Sequence, residues 1–417
     1  MRTKAVEQCR VCGNRDLMPI MDLGVQALSG RFPSGSEPDP PRAPLELAKC
    51  NNSGDSDSCG LLQLRHTVPP EEMYSHAYGY RSGINQTMRT HLKGIVRRVQ
   101  GIVDLNPGDV VLDIGSNDAT LLKCYEEKRL KRIGIDPTGE QFSEYYTGDI
   151  ELVSSYFTSS SYLSASPVRK AKVITSIAMF YDLETPMGFV EDIKQILDPD
   201  GIWVFEQSYM PTMLKLNSFD TVCHEHLEYY ALKQVDWMLK KNHLRIFDVE
   251  FNEINGGSFR VYSCHNNSAI TSNSGTIDST LLGEEKSGLD SVLPYREFKK
   301  RVFRIKDELY SFLCAEKAKE SSIYIYGAST KGNVLLQFCN IDSTLIMAAA
   351  DRNPEKWGHR TPATHIPIIS EEEARKAKPD YFLVLPWHFR REFIEREKAF
   401  LSGGGKFIFP LPEIQIV

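Results

Sequence analysis

Hydrophobic residues in the middle of the chain occur in short runs that alternate with amphipathic stretches. The runs are VVLDIG (110–115), RIGID (132–136), KVITSIAMF (172–180) and GIWVFEQS (201–208). Apolar runs of this length, separated by helical patterns, are typical of buried parallel strands in βαβ units. We therefore predict a doubly wound α/β domain over residues 73–285.

The same rhythm returns later in the chain. Pro294 is placed to open a helix, and apolar residues then recur at helical spacing to about residue 318. The segment 265–290 before it is rich in Asn, Ser, Thr and Gly, and we predict that it is a connector. We predict a second, smaller Rossmann-like domain over residues 286–417, with strands in SIYIYGAST (322–330), TLIMAAAD (344–351), YFLVLPW (381–387) and KFIFPLP (406–412).

The first 72 residues have a different character. They are rich in turn-forming residues and contain four of the nine cysteines. A segment this short has little core of its own and needs a metal, a disulfide or a neighbouring domain to hold it. The predicted architecture is therefore an α/β protein of three domains, of which the first is the region 1–72.

Composition narrows the class of protein. The 417 residues are 41% hydrophobic and 25% charged, which excludes a disordered or collagen-like chain. The chain has 49 Lys and Arg against 55 Asp and Glu, a net charge of −6, which argues against a nucleic-acid partner. An anionic small molecule needs only a local basic pocket, so it remains compatible with this charge.

The sequence also bears on the compartment. It has no apolar run long enough for a transmembrane helix, and we expect no membrane partner. The first residues, MRTKAVEQCRVCG, lack the hydrophobic region of a signal peptide, so we expect a cytoplasmic protein with reduced cysteines.

Four cysteines have the spacing of a metal site. Cys9 and Cys12 form a C-x-x-C turn, and Cys50 and Cys59 follow about forty residues later. Four thiolates satisfy tetrahedral Zn²⁺ and leave no open position, so we predict a structural zinc ion. Two alternatives are unrelated buried thiols and a zinc-ribbon nucleic-acid module. Acidic residues in the 51–58 loop and the absence of a basic stripe weigh against the second.

The segment VVLDIGSNDATLL predicts a strand, a tight turn and a helix start, and Asp136 ends the next strand. An acid in that position can accept hydrogen bonds from both ribose hydroxyls of an adenosine. Asn117 and Thr120 stand where a dinucleotide fingerprint has glycines, so a ligand without phosphate, S-adenosylmethionine, fits better. An ordinary βαβ turn is the alternative. The predicted cofactor-binding residues are Asp113, Gly115, Asn117, Asp136 and Pro137.

A cluster of reactive side chains follows the strand 201–208. Cys223, His224, Glu225 and His226 are consecutive. Histidine is the side chain most easily tuned as a base near neutral pH, and Glu225 or Glu228 could orient it. The histidines could instead be metal ligands or packing residues. The zincin H-E-x-x-H spacing is not met, and the cluster follows a strand end, where α/β domains bind ligands. We therefore favour catalysis.

The turn Tyr326–Asn333 again follows a predicted strand. It is not a phosphate-binding P-loop, because Lys331 precedes Gly332 and Asn333 follows it. Backbone N–H groups at a helix start, together with one lysine, can still hold a diphosphate. We predict that Lys331 and Asn333 bind the substrate. A purely structural lobe is the alternative.

The motifs of the whole chain, taken in order, resemble those of the three-domain sugar-nucleotide C-methyltransferases, which methylate C-3 of a dTDP-4-keto sugar. The resemblance rests on the cysteine pairs, Tyr78-Gly-Tyr80-Arg-Ser-Gly, Leu112-Asp-Ile-Gly-Ser-Asn-Asp, Phe219-Asp-Thr-Val-Cys-His-Glu-His-Leu-Glu-Tyr-Tyr230, Gly256-Gly-Ser-Phe-Arg-Val, Gly327-Ala-Ser-Thr-Lys-Gly-Asn333, Asp351-Arg-Asn-Pro-Glu-Lys356 and Leu385-Pro-Trp-His388.

This resemblance implies a zinc-binding domain, a class I methyltransferase domain and a Rossmann-like C-terminal domain, with the sugar nucleotide between them. By position, His226 would be the base, with Glu225 beside the sugar and His224 close by. Tyr80 would contact the substrate, and Cys223 would stand where relatives can have a tyrosine that faces the sugar.

The predicted reaction moves a methyl group from S-adenosylmethionine to C-3 of a 4-keto-deoxysugar nucleotide through an enolate, in branched deoxysugar biosynthesis. A base removes the proton beside the ketone while a donor stabilises the enolate oxygen. That donor stays open between His224 and a tyrosine. Alternatives are a methyltransferase for another keto compound, an NAD-dependent sugar-nucleotide oxidoreductase and a non-enzymatic zinc-knuckle binding protein. We expect a monomer or a homodimer.

Overall fold

The computed structural model describes residues 3–52, 57–73, 81–126 and 129–417. Within these residues, most strands belong to three sheets of four, seven and six strands. One hydrophobic cluster runs through all three sheets, from Cys9 to Leu411. A second cluster packs helix 86–100 against the other face of the seven-stranded sheet.

The N-terminal region is mainly antiparallel. Its elements are β1 (Lys4–Ala5), β2 (Leu17–Ala27), β3 (Arg42–Cys50), β4 (Leu62–Leu64), β5 (His66–Thr67) and helix α1 (Pro70–Met73). The strands β2, β3 and β4 form a sheet whose fourth member, β11 (Glu228–Tyr229), comes from the middle of the chain. Leu62 pairs with Tyr229, and Gln63 pairs with Glu228. The small N-terminal sheet is therefore completed by the segment that directly follows His226.

The central region alternates strands and helices as its sequence pattern predicts. Its elements are α2 (Gln86–Gln100), β6 (Val110–Ile114), β7 (Lys131–Ile135), β8 (Ile150–Val153), α3 (Ser159–Ala165), β9 (Ala171–Ile177), α4 (Pro186–Ile196), β10 (Leu197–Ser208), α5 (Met210–Lys215), β11, α6 (Leu232–Lys241), β12 (Leu244–Asn252), β13 (Ser258–His265) and α7 (Ser274–Lys286). The sheet order is β12-β13-β10-β9-β6-β7-β8.

Five strands of this sheet, β6 to β10, are parallel, and β13 and β12 add an antiparallel edge. The parallel part confirms the predicted doubly wound arrangement. The strand order reverses between β6 and β9, and a ligand crevice is expected beyond the carboxyl ends of strands at such a point.

The C-terminal region confirms the predicted second α/β unit. Its elements are α8 (Leu293–Ala318), β14 (Ile323–Tyr326), α9 (Thr330–Phe338), β15 (Ala349–Asp351), β16 (Ile368–Ser370), α10 (Glu371–Ala377), β17 (Tyr381–Val384), α11 (Arg390–Arg396), α12 (Lys398–Ser402), β18 (Lys406–Phe409) and β19 (Gln415–Ile416). The sheet order is β16-β15-β14-β17-β18-β19, and only β19 is antiparallel. Its switch point lies between β14 and β17.

Two predictions of secondary structure are wrong. Residues 274–286, assigned to a connector, form the helix α7, which packs against β12. The predicted strand 344–351 contains only the three residues of β15, because residues 342–345 form a turn instead. The sequence of α7 lacks the apolar stripe by which a packed helix is usually predicted. The helix contributes a buried carboxyl group instead.

Short 3₁₀ helices connect several of these elements. They cover Ser82–Ile84, Leu122–Cys124, Gly139–Tyr145, Phe180–Asp182, Phe219–Thr221, Ile254–Gly256, Pro354–Lys356 and Trp387–Phe389. Among the described residues, no helix combines the length and the apolar character that crossing a bilayer requires. The predicted domain boundaries at 72/73 and 285/286 stay predictions.

Candidate active site

A cavity of about 1290 Å³ lies between the three sheets. Its walls are the loop 30–41 that precedes β3, the carboxyl ends of β6, β7 and β9, the residues Cys223, Glu225 and His226, and the first turn of α9. Pockets for one small molecule usually measure about 300–1,000 Å³. This cavity is therefore large enough for two ligands side by side.

All five predicted cofactor-binding residues line one end of this cavity. Gly115 follows β6 and adopts a φ of 72°, a conformation that side chains other than glycine rarely take. A Cβ there would lie 3.1 Å from Cγ of Met179. The turn thus brings the backbone close to the cavity, as a cofactor-binding turn requires.

Asp136, just after β7, is held rigidly at the sheet edge. Its carboxylate accepts the backbone N–H of Asn117 at 2.8 Å and the backbone N–H and hydroxyl of Thr138 at 2.7 and 2.6 Å. A carboxylate offers about four acceptor positions, so capacity remains for a ribose hydroxyl. The site therefore fits the adenosine part of S-adenosylmethionine.

Asp113 is the second acid at this end. Burial raises its pKa to about 7, and the hydroxyl of Thr175, which donates at 2.5 Å, opposes the shift. Both acids of the predicted cofactor site thus lie at the carboxyl ends of neighbouring strands, as the sequence pattern predicts. Their role in cofactor binding stays a prediction.

His226 also lines the cavity. Its Nδ1 lies 2.8 Å from the backbone carbonyl of Thr221, which can only accept a hydrogen bond. We therefore assign the proton to Nδ1, which leaves the lone pair on Nε2. The ring of Tyr181 packs on it with 4.3 Å between centroids. Burial lowers the pKa of His226 to about 3, and the charge of Lys331 adds to the shift. A neutral imidazole in this tautomer is equipped to accept a proton.

Cys223 and Glu225 accompany His226 on the cavity wall. Burial raises the pKa of both groups, and the two side chains act on one another electrostatically. A Cβ at Gly30, in the N-terminal lobe, would lie 2.8 Å from Oε1 of Glu225. The absence of a side chain at Gly30 therefore leaves room for this carboxyl group.

Lys331, in the first turn of α9, brings a cation to the same region. Its Nζ donates to the carbonyl of Asn255 at 3.0 Å, and its side chain lines the cavity. Asn255 adopts a left-handed φ of 56° beside two glycines, which presents its carbonyl to the lysine. Burial lowers the pKa of Lys331, and the carboxyl of Asp220 opposes this shift.

Two predicted site residues, His224 and Asn333, are not part of the cavity wall that the structure describes. His224 is buried behind it, with Nε2 3.1 Å from the carbonyl of Ala43, and burial lowers its pKa to about 4. Asn333 is fully buried, and its amide donates to the carbonyl of Ser29 at 2.8 Å. Tyr80 lies outside the described residues. The placement of His224 and Asn333 suits a connection between lobes better than contact with a substrate.

Other residues of the wall were not predicted from the sequence. The loop 30–41 of the N-terminal region is the largest such part, and its prolines, at 33, 38, 40 and 41, were the only signal. Asp220 lies under the wall, where Nε1 of Trp387 donates to its carboxylate at 2.9 Å. His388 also lines the cavity, and burial lowers its pKa to about 3.

The four predicted zinc ligands form one cluster. Their Sγ atoms lie within 4.8 Å of one another, and Cys9–Cys59 and Cys12–Cys50 are each separated by 3.5 Å. A tetrahedral zinc ion with Zn–S bonds of about 2.3 Å places its sulfur atoms about 3.8 Å apart. The cluster therefore fits a four-cysteine zinc site, although the loop between Cys50 and Cys59 is long.

Comparison with protein families assigns nearly the whole chain. Residues 9–74 match a "Putative zinc binding domain", residues 85–249 a methyltransferase domain, and residues 253–412 a C-methyltransferase C-terminal domain. The chain is similar to C-methyltransferase NovU of Streptomyces niveus, with 29% identity over 99% of this chain and 97% of that protein.

Some solved structures resemble part of the chain. One is the complex of the Haloferax volcanii Trm112 methyltransferase activator with a methyltransferase, with 14% identity, a TM-score of 0.36, and coverage of 44% of this chain and 94% of that chain. Another is the plantazolicin methyltransferase BpumL in complex with SAH, with 12% identity, a TM-score of 0.35, and coverage of 44% and 86%. Scores this low add nothing to what the family comparison shows.

The family matches, together with the cysteine cluster, confirm the two predicted cofactors, S-adenosylmethionine and zinc. They also exclude the predicted alternatives of an oxidoreductase and a binding protein without activity. The chain is therefore an S-adenosylmethionine-dependent C-methyltransferase with an N-terminal zinc-binding domain.

Proposed function

We propose that this enzyme methylates C-3 of a 4-keto-deoxysugar nucleotide through an enolate, as a step in branched deoxysugar biosynthesis. The observation that carries the proposal is the state of His226. Its Nδ1 is held by the Thr221 carbonyl, which leaves the lone pair on Nε2, and its ring lines the cavity. A neutral base at this point suits removal of a proton from carbon.

The C–H bond beside a ketone is only weakly acidic, so the base needs a partner that stabilises the developing enolate oxygen. His224 is buried behind the cavity wall and is poorly placed for this task. Lys331 lines the cavity, donates from Nζ to the carbonyl of Asn255 and acts electrostatically on His226. We assign the stabilisation of the enolate to Lys331, with the hydroxyl of Tyr181, which also lines the cavity, as the alternative donor.

S-adenosylmethionine supplies a methyl group bonded to a positively charged sulfur. Asp113 and Asp136 occupy the same cavity as His226, so both ligands can be held with their reacting atoms adjacent. Orientation of this kind is worth effective molarities of about 10⁵–10⁸ M in favourable cases. The main contribution of the protein is therefore alignment, with one proton accepted at Nε2 of His226.

The remainder of the cavity suits an anionic nucleotide. Arg31, Lys356 and His359 line it, and so do Ser329 and Thr330 at the start of α9. The hydroxyl of Ser329 caps this helix by accepting the N–H of Gly332 at 3.0 Å. Helix N-termini and lysine or arginine side chains are the usual ligands of phosphate groups. A diphosphate between sugar and nucleoside would thus meet complementary charge in a chain of negative net charge.

The experiment is product analysis by mass spectrometry. The purified enzyme is incubated with S-adenosylmethionine and a panel of 4-keto sugar nucleotides that differ in nucleotide base and in substituents at C-2, C-3 and C-6. We expect a gain of one methyl group on at least one member, located at C-3 by NMR.

Two further arms sharpen this test. Ketones without a nucleotide detect the alternative of a methyltransferase for another keto compound. In D₂O with S-adenosylhomocysteine, the true substrate should exchange its C-3 hydrogen, because His226 acts before methyl transfer. Methylation confined to non-nucleotide ketones, or to an oxygen or nitrogen atom, would contradict the proposal.

A further inference from the structure

A buried ion pair connects the zinc-binding lobe to the catalytic segment. Nε of Arg10 lies 3.7 Å from Oε1 of Glu228, and the two side chains are 3% and 0% exposed. Neither carboxylate oxygen of Glu228 has a hydrogen-bond partner among the described residues. Burial raises the pKa of the Glu228 carboxyl group and Arg10 opposes this shift, so Arg10 is the partner that compensates for the burial of Glu228.

The position of Arg10 is determined by the cysteine cluster. It is the residue after Cys9 in the C-x-x-C turn, and its backbone N–H donates to the side chain of Gln63 at 3.0 Å. Its guanidinium also donates to the carbonyl of Leu64 and, at 2.8 Å, to the hydroxyl of Thr67. Several bonds in one fork hold the side chain in a single orientation. The position of the Arg10 side chain therefore follows the position of the turn that carries Cys9 and Cys12.

Glu228 is continuous with the residues that line the cavity. It lies two residues after His226, and the carbonyl of Leu227, between them, accepts the N–H of Leu64 at 2.8 Å. The N–H of Leu227 donates at 2.8 Å to the carbonyl of Tyr181, whose ring packs on His226. A displacement of Glu228 therefore also displaces His226, because the backbone between them is short and hydrogen-bonded.

The lobes have other connections that do not depend on this pair. The sheet β11-β4-β3-β2 is continuous between them, and Gln234 donates to the carbonyl of Cys59 at 3.0 Å. Buried ion pairs often stabilise a protein no more than well-packed apolar residues would. The pair is thus better suited to fixing an orientation than to holding the lobes together.

We propose that Arg10 and Glu228 are positioning residues, through which the zinc-binding lobe sets the location of His226 relative to the substrate. The proposal rests on the role given to His226 in the proposed function. It adds that the zinc ion, besides stabilising a small lobe, fixes the geometry of the catalytic segment from outside the cavity.

The test compares Arg10→Met, Glu228→Gln, the double variant and Arg10→Lys with wild type. Each single variant leaves one buried ionisable group without its partner and is expected to be unstable, whereas the double variant removes both groups. We expect the double variant to retain its zinc ion, its melting temperature and its affinity for S-adenosylmethionine. Its kcat on a 4-keto sugar nucleotide should fall about tenfold to a hundredfold, the effect of a small misplacement of reacting groups. Arg10→Lys keeps the positive charge, so its kcat should lie between that of the double variant and that of wild type.

The control is the pair Arg375–Glu397 of the C-terminal region, whose atoms approach to 2.6 Å away from the cavity wall; Glu397 is buried and the Arg375 side chain is 41% exposed. The double variant Arg375→Met/Glu397→Gln should keep the kcat of wild type. A double variant of Arg10 and Glu228 with zinc bound and an unchanged kcat would overturn the proposal. An equal loss of kcat in the control pair would overturn it as well, because the effect would then be general destabilisation.

A second measurement separates this proposal from the proposed function. Hydrogen–deuterium exchange of the double variant and of wild type is measured without substrate. The protection of the backbone amides in residues 223–230 is compared with that in residues 110–114 of β6, beside the predicted cofactor site. Loss of protection confined to 223–230 supports the positioning role even when no sugar nucleotide is methylated by wild type. Unchanged protection at 223–230 counts against it in either case.

Discussion

The immediate surroundings of His226 keep its imidazole ring neutral and hold it in one tautomer. The Thr221 carbonyl holds Nδ1–H, and burial together with the charge of Lys331 keeps the ring from being protonated. A cation beside a base lowers the basicity of that base before the reaction begins. The same cation stabilises the reacting state once the substrate becomes an enolate, because an enolate carries negative charge.

Replacement of His226 by asparagine tests its role directly. We expect His226→Asn to bind S-adenosylmethionine like wild type, and to lose both methyl transfer and hydrogen exchange at the acceptor carbon by about 10²–10⁴-fold. Isothermal titration and NMR in D₂O measure the two properties. His243→Asn is the control, because His243 is exposed and its φ of 58° is one that asparagine tolerates. Exchange at the wild-type rate in His226→Asn would show that another group is the base.

The pH dependence of kcat/KM follows from the lowered pKa of His226. The base acts when it is unprotonated, and protonation sets in only as the pH falls towards about 3. We therefore expect no loss of kcat/KM attributable to His226 between about pH 8 and 5. The profile is measured in wild type and in Glu225→Gln, because burial raises the pKa of this neighbouring carboxyl group. An acidic limb near the ordinary histidine pKa in both proteins would contradict the assignment.

At the scale of elements, helix α7 illustrates how a polar segment can be structural. Glu284 is buried, and its carboxyl group accepts the N–H groups of Leu232 and Lys233 at 2.7 and 2.9 Å. These are orphan donors at the start of α6, which has no polar side chain at its N-cap. The same carboxyl group accepts the hydroxyl of Tyr209 at 2.6 Å. One residue of α7 thus caps a helix that lies beside it.

Removal of this cap should destabilise the protein. We expect Glu284→Ala to lower the free energy of unfolding by about 1–3 kcal/mol, because two buried donors and one partly buried donor lose their acceptor. Urea unfolding followed by circular dichroism measures the change. Glu285→Ala, at the exposed neighbouring position, should be close to neutral. Equal stability of the two variants would show that the polar contacts of Glu284 contribute nothing net.

At the scale of the whole molecule, the cavity exists only because three sheets share one continuous hydrophobic core. The zinc-binding lobe contributes the wall from Gly30 to Pro41 and also receives β11. It therefore serves the site in two ways, as a surface and as a support for the catalytic segment.

Loss of zinc should consequently separate cofactor binding from catalysis. Cys9→Ser is expected to lose its zinc ion, to unfold at a lower temperature and to lose activity, because metal binding provides folding free energy for the small lobe. Affinity for S-adenosylmethionine should persist, since Asp113 and Asp136 belong to the seven-stranded sheet. Cys314→Ser, on α8, should keep one zinc ion per chain, measured by elemental analysis. Full zinc content in Cys9→Ser would refute the four-cysteine site.

Sequence patterns predicted the strands well because buried parallel strands are apolar along their whole length. VVLDIG and RIGID became β6 and β7, and the glycine and the acid that follow them predicted the cofactor edge. Helix α8 was also predicted, since Val302, Ile305 and Leu309 recur on one buried face. The polar helix α7 escaped because its key interaction is one buried carboxyl group, which no periodicity reveals.

The sequence by itself determined the chemistry that the chain carries: four thiols for zinc, two acids at strand ends, and a cluster around His226. The tertiary structure alone decided which of these groups face a common cavity. It placed His224 and Asn333 in contacts between lobes, brought Lys331 near His226, and paired Arg10 with Glu228. The physical reason is that these contacts join residues more than a hundred positions apart, and only packing of the three sheets around one core brings them together.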